Sequence, residues 1–284
     1  MTSPMKWPIC FFAAVVAAVV MVCASTAQQP NTGAEQSASA PAQKSKSSKK
    51  KTSTSGTAQK TDAGKTQKSP AAASGGAAQE AGLESVLAQM DTASSTFRSA
   101  EADLAQEDYE KVVDDHHTEN GKIYFRRTSK GLQMAMDFMN SPDSKYVLLT
   151  DNKIRLYQTK IDQITEYAVG KNRSDVESMF ALGFGGRGHD LLKSFDVKLA
   201  GAEMIDGVKV SKLELTPKTE GLRRYFSRIE LWIDPSNDVS RQQQFWQPSG
   251  DYHLAHYSKI KLNQKIPDDV FKLKTTSHTK TITP

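Results

Sequence analysis

From Gly121 to Tyr167, short runs of apolar–polar alternation follow one another almost without a break. Gly121-Lys122-Ile123-Tyr124-Phe125-Arg126-Arg127 ends an apolar and aromatic run on an arginine pair. Leu132 to Phe138 alternates again, which puts Met134, Met136 and Phe138 on one face of a strand. Ser141-Pro142-Asp143 turns the chain into Tyr146 to Thr150, and Asp151-Asn152 turns it into Ile154 to Tyr157. Strands this short and closely spaced predict a curled antiparallel sheet with little room for helices.

The flanking pattern extends this reading. Leu83, Val86, Leu87, Met90 and Ala93 follow helical spacing, and the Ser/Thr cluster Thr92 to Thr96 ends that helix. An extended segment over Phe97 to Val113 and a polar, turn-like stretch over Asp114 to Asn120 are expected next. Phe195 to Leu199 and Val208 to Leu215 alternate around Asp206-Gly207. Phe226 to Ile233 places Phe226, Arg228, Glu230 and Trp232 on one face and Ile229, Leu231 and Ile233 on the other. Arg241 to Gln247 and Tyr252 to Leu262 complete a run of hairpins with turn chemistry between them. The only other helical interruption is Ser174 to Leu192.

That interruption contains Gly183-Phe184-Gly185-Gly186-Arg187-Gly188, a literal match to G-x-G-x-x-G. The dinucleotide fingerprint requires a preceding strand inside a parallel βαβ unit, and here Asp175 to Leu182 reads as helix. The segment is expected instead to be a flexible glycine joint between two short helices. Phe180, Leu182, Phe184, Leu191 and Leu192 would point at a common apolar surface. Over the mouth of a curled sheet, such a pair would be a lid. Methionine fills irregular apolar space adaptably, so Met134, Met136 and Phe138 suit a cavity for variable acyl chains. Tyr157 and Trp232 complete the aromatic candidates for its walls.

Composition divides the 284 residues into three parts. Ile9 to Val22 is an apolar run of 14 residues behind Lys6, short of the ~20 residues of a membrane span. With Ser25-Thr26-Ala27 after it, residues 1–27 read as a cleaved signal peptide that directs export. Acylation at Cys23 and an uncleaved anchor are the alternatives. Cleavage removes both cysteines, Cys10 and Cys23, and with them disulfides and thiolate metal sites. Residues 28–80 are rich in Ala, Ser, Thr, Gln, Gly, Pro and Lys and hold no aromatic residue, so they read as a disordered linker. Its eight lysines face three acids, so the formal net charge of +5 belongs to this tail and the domain over 81–284 is near neutral. The tail is a soluble spacer, or it touches anionic lipid or cell-wall polymer through Lys44 to Lys51. Nucleic acid is not an expected partner, because no aromatic residue is there to stack bases.

Candidate chemistry adds little. His116-His117 beside Asp114 and Asp115 reads as a solvated loop rather than a metal site. His253 and His256, three apart in a strand, fall on opposite faces and make poor co-ligands. No nucleophile elbow, zinc-protease helix or P-loop occurs. The expectation is a binding protein without cofactor, metal or catalytic residues.

At several points the chain resembles the LolA-type periplasmic lipoprotein carrier family. Phe97 with Ala102 to Gln106 resembles the family's first strand, and Gly121 to Arg127 its Gly-aromatic-Arg strand. Pro142-Asp143, Leu148 to Asn152, Leu156-Tyr157, Gln163 and Leu215-Thr216-Pro217-Lys218 follow later landmarks. Thr128 stands where the family has Pro after its Arg, and Asn152 stands for the Gly of an Asp-Gly turn.

The resemblance implies a mainly β, α+β fold, an incomplete antiparallel β-barrel of about ten to eleven strands with a helical lid. It implies a monomeric carrier taking lipoprotein acyl chains from an inner-membrane releasing complex to an outer-membrane acceptor. The alternative is a LolA-like envelope lipid-binding sensor or scaffold that does not shuttle. It also implies that Arg127 hydrogen-bonds the lid and helps close the empty cavity.

Overall fold

The computed structural model describes residues 71–140, 144–169 and 173–284. The signal-peptide reading, most of the linker and the Ser141-Pro142-Asp143 turn lie outside them. Helix α1 spans Ala71–Thr96 and so takes in the last ten residues of the low-complexity segment. Its Leu87 and Met90, one turn apart, are buried. Its end is chemical: the hydroxyls of Thr92, Ser95 and Thr96 donate to the carbonyls of Ala88, Thr92 and Ala93 at 2.7–3.1 Å. Such side-chain bonds compete with the helical ladder and favour termination.

Twelve strands follow. They are β1 (Ser99–Glu110), β2 (Asp115–Thr128), β3 (Gly131–Asp137), β4 (Lys145–Thr150), β5 (Lys153–Gln158) and β6 (Gln163–Ala168), then β7 (Phe195–Ile205), β8 (Val208–Pro217), β9 (Arg228–Asp234), β10 (Val239–Trp246), β11 (Tyr252–Leu262) and β12 (Lys280–Ile282). Helices α2 (Arg173–Phe180) and α3 (Gly188–Ser194) interrupt them after β6, and one turn of helix, α4 (Glu220–Arg223), precedes β9. All lie in one sheet, ordered β12-β6-β5-β4-β3-β2-β1-β11-β10-β9-β8-β7. Every pairing is antiparallel except β12 on β6. The edges β7 and β12 do not meet, so the barrel is incomplete, as expected.

The polar stretch after residue 113 differs from expectation. The turn is confined to Lys111–Asp114, with Asp114 at φ 51°, and β2 begins at Asp115. Cross-strand partners hold this polar half of the hairpin in register. His116 Nδ1 lies 2.9 Å from Glu107 Oε1, and its ring lies 4.5 Å from that of Tyr109. Periodicity misses a strand whose polar residues pair with one another. The β4–β5 turn behaves as read: Asp151 and Asn152 take φ of 52° and 61°, a pair of left-handed residues that Asn tolerates without Gly. Phe226 departs from the reading. It sits in the turn before β9 and is buried against Phe245 rather than heading a strand face.

Two apolar clusters fill the inner face. One gathers Ile123, Phe125, Met134, Phe138, Val147 and Tyr257 with Phe184 from between the helices. The other packs Leu87 and Met90 of α1 against Leu213, Leu215, Ile229 and Leu231. A third, small cluster lies on the outer face, where Ile266 and Phe271 cover Ala135 and Leu148. The hydroxyl of Tyr146 donates to the carbonyl of Val270 and ties that covering segment down.

Candidate functional site

Beside the inner clusters, helices and turns enclose a large space. A cavity of about 1030 Å³ lies among α1, the α2–α3 segment, the turn from β2 to β3 and the α4 connection. Met90, Leu132, Leu182, Leu191, Leu222 and Phe226 are among its apolar walls. Pockets with mostly apolar linings and a few polar groups are where hydrophobic ligands are held.

The glycine segment over this cavity is not the flexible joint that its composition suggests. Residues 181–185 are buried, and backbone bonds from Phe184 (2.9 Å) and Gly186 (3.2 Å) to the Ala181 carbonyl fold them into a tight turn. Gly183 and Gly185 take φ of 70° and 73°, the left-handed region that glycine enters freely. Each also allows a close approach. A Cβ on Gly185 would stand 2.4 Å from the Phe97 ring, and one on Gly188 would stand 2.4 Å from the Leu87 carbonyl oxygen. The glycines let the segment press onto α1 and the sheet, which makes it a fitted lid. Phe184 is its plug, stacked on Phe125 at 4.8 Å and set edge-on to Tyr257 at 4.7 Å.

Polar groups latch the lid. Arg127, at the end of β2, donates from Nη1 to the Ser94 carbonyl at 2.9 Å and from Nη2 to the Gly185 carbonyl at 2.7 Å. The Ser94 hydroxyl donates to the same Gly185 carbonyl at 2.8 Å. On the other side the Ser240 amide donates to the Gly183 carbonyl at 2.7 Å. Gln243 donates to the Leu182 carbonyl and accepts from Tyr257 at 3.0 Å. One arginine therefore joins α1, the lid and β2.

A second clasp joins α3 to α1. His189 Nδ1 lies 2.7 Å from Asp91 Oδ2, and Nε2 lies 3.2 Å from Glu84 Oε1. Arg187 Nη2 approaches Asp91 at 3.7 Å. The Asp91 hydrogen bond, then that of Glu84, raises the His189 pKa above its ordinary value. Burial opposes the charge on Asp91, but its bonds to His189 outweigh that and lower its pKa. A raised histidine stabilises the clasp fully below its ordinary pKa, about 6.5, and loses that contribution as pH rises through the raised value. Amide hydrogen exchange in α3 should therefore speed up as pH rises from about 6.5 through the raised value, beyond its intrinsic pH dependence, and His189→Gln should remove that excess.

The residues singled out from sequence divide into three sets. Arg127, Leu182 and Leu191 line the cavity. Phe180, Phe184, Met134, Met136 and Phe138 belong to the cluster beneath the lid, where Met134 and Phe138 are fully buried. They are packed core in this closed form and do not reach the cavity.

Tyr157 and Trp232 are corrected to the far side of the sheet. Ile154 and Leu156 face the core, so Tyr157 faces away and donates to Asp162 at 3.0 Å. Ile229, Leu231 and Ile233 likewise take the inner face, which leaves the Trp232 indole outside, donating to Glu203 at 2.6 Å with Lys212 over its ring. Ser94, Ser240, Gln243 and the walls Leu222 and Phe226 were not foreseen. Gln243 alone left a signal, as a polar residue in phase with Phe245 on a strand. Among the described residues no group of three or more His, Cys, Asp or Glu side chains is placed to hold a metal ion.

A twelve-stranded open, mainly antiparallel barrel with a latched helical lid beside an apolar cavity defines a β protein of the lipid-binding type of fold. Residues 95–274 match the family described as outer membrane lipoprotein carrier protein LolA, and the chain belongs to that family. The LolA fold is one associated with lipid and lipoprotein binding. No curated protein matches the chain.

Solved structures with similar folds include an uncharacterized conserved protein from Thermus thermophilus, at 10% identity and TM-score 0.47, covering 72% of this chain and 99% of that one. A putative outer membrane lipoprotein-sorting protein domain from Vibrio parahaemolyticus shows 12% identity and TM-score 0.39, covering 68% and 96%. The Mycobacterium tuberculosis lipoprotein LppX shows 12% identity and TM-score 0.42, covering 66% and 98%. Membership rests on the family match and not on these likenesses.

Proposed function

We propose that this protein is a periplasmic carrier. In this role it shelters the acyl chains of lipoproteins under the lid and moves them from the inner to the outer membrane. The observation that carries this reading is the latched lid: Arg127 holds Ser94 and Gly185 while Phe184 fills the inner face of the sheet. Each acyl CH₂ removed from water is worth ~0.8 kcal/mol, so a lipid-modified protein needs an apolar sleeve to cross an aqueous space. The closed lid competes with cargo for the soft surface of Met134, Met136 and Phe138, and opening would expose it. An inner-membrane releasing complex supplies cargo and an outer-membrane acceptor with a better apolar site removes it. No covalent step is involved.

A second reading is favoured by the lysine-rich segment ahead of the domain, which a soluble shuttle does not need. In it, the same lipid-binding domain acts as an envelope sensor or scaffold, tethered by the tail to anionic lipid or cell-wall polymer. Native mass spectrometry of the exported protein separates the readings. A co-purifying triacylated peptide supports the carrier. Bound lipid without peptide favours the sensor, and an empty protein that takes up no acyl chain sinks both.

A further inference from the structure

The cavity is apolar inside, yet its wall carries four cations, Arg127, Arg187, Lys193 and Arg224, against two acids, Glu177 and Asp190. Their pairing is uneven. Lys193 is neutralised by Asp190 at 2.8 Å. Among the described residues Arg187 reaches one carboxylate, Asp91 at 3.7 Å, which is already engaged by His189 at 2.7 Å. Arg127 spends donors on two carbonyl oxygens and sets its guanidinium 5.7 Å from the Phe97 ring, but no carboxylate pairs with it among the described residues. Arg224, the residue that caps α4, is exposed and makes no ion pair among the described residues. The uncompensated charge thus comes from three different walls of one space, the end of β2, the lid before α3 and the end of α4.

An apolar slot with excess positive charge at its wall is complementary to an amphiphile with one apolar chain and an anionic head. Low-dielectric walls concentrate the field of such charges, and guanidinium groups pair with phosphate oxygens through two parallel bonds. We infer that the cavity selects anionic amphiphiles, and that Arg187 and Arg224 take the phosphate headgroup while the chain lies against Leu182, Leu191 and Phe226. This rests on the reading of the cavity as a lipid site. It adds a headgroup specificity that burial of acyl chains alone does not supply.

Two amphiphiles with the same chain and glycerol, differing only in a phosphate, isolate that specificity: lauroyl lysophosphatidic acid and monolaurin. Titration of the purified protein, below the aggregation concentration of either, should show the phosphate-bearing one binding at least roughly tenfold tighter, with an advantage that shrinks as salt rises. Arg187→Gln with Arg224→Gln should remove about that factor from lysophosphatidic acid, with thermal melting run alongside to show that the variant is folded. Equal affinities for the two amphiphiles overturn the headgroup inference and leave the lipid-site reading standing. Binding of neither overturns both. Inorganic phosphate binding as tightly as lysophosphatidic acid overturns the amphiphile inference in favour of a plain anion site.

Discussion

Replacing Arg127 with leucine should open the lid and leave the barrel intact. The guanidinium donates to the carbonyls of Ser94 and Gly185 at 2.9 and 2.7 Å, and leucine can donate to neither. Gly185 keeps the Ser94 hydroxyl as a donor at 2.8 Å, so the carbonyl at the end of α1 bears most of the loss. Hydrogen bonds from charged groups contribute about 1.5–3 kcal/mol each. Arg127 is exposed and one acceptor stays paired, so the net effect on the closed lid should be about 2 kcal/mol, roughly 30-fold in the open-to-closed ratio.

Hydrogen exchange at the amides of residues 182–188 should accelerate by that factor, while exchange in β3 and β4 stays slow. In the proposed carrier role, a weakened closed state that competes with ligand should also hold acyl cargo longer. Cargo released at the normal rate from Arg127→Leu would remove the gating role and leave the fold assignment untouched.

Gly185→Ala should cost more, and by a different route. Its φ of 73° already penalises a side chain by about 1–2 kcal/mol. The new methyl would stand 2.4 Å from Cγ and Cδ1 of Phe97, a ring buried in the inner cluster that would have to shift. Overpacking of this kind typically costs about 1–3 kcal/mol, so a total of about 3 kcal/mol is expected, a melting temperature lower by roughly 6–12 °C. Gly207→Ala is the matched control. Its φ is 75°, but nothing lies within 4 Å of the added Cβ, so it should lose only the backbone part, about 1–2 kcal/mol. Equal losses at the two positions would mean that the fit of the lid against Phe97 contributes nothing.

These variants also show where the sequence was legible. The Leu87 and Met90 helix, the β3 face of Met134 and Phe138, and the Asp151-Asn152 turn were readable because each is decided within a few residues. The strand at 115–120 was not, since its polar side chains are satisfied by Glu107 and Tyr109 on a neighbouring strand. Trp232 was misplaced because alternation along β9 separates two faces without saying which is inside. Leu213 and Leu215 of β8 decide that by packing on Ile229 and Leu231. The glycine segment was found for its composition and misread in its mechanics. Its rigidity comes from Phe97, Leu87, Ser240 and Arg127, all more than 50 residues away or on other elements.

By itself the sequence determined a curled antiparallel sheet, a helix before it, a glycine-rich interruption and a charge at the end of β2. These follow from side-chain period, turn chemistry and backbone freedom, all local quantities. An open barrel and an Arg127 latch were expected from family resemblance alone. Only the tertiary structure decided that the gap falls between β7 and β12, that the glycine segment is a fitted lid, and which carbonyls Arg127 holds. Those outcomes depend on which distant carbonyls and rings come within a few ångströms of one another. Such distances are a property of the packed whole, because the groups that satisfy a buried carbonyl or fill a hollow arrive from parts of the chain with no local knowledge of each other.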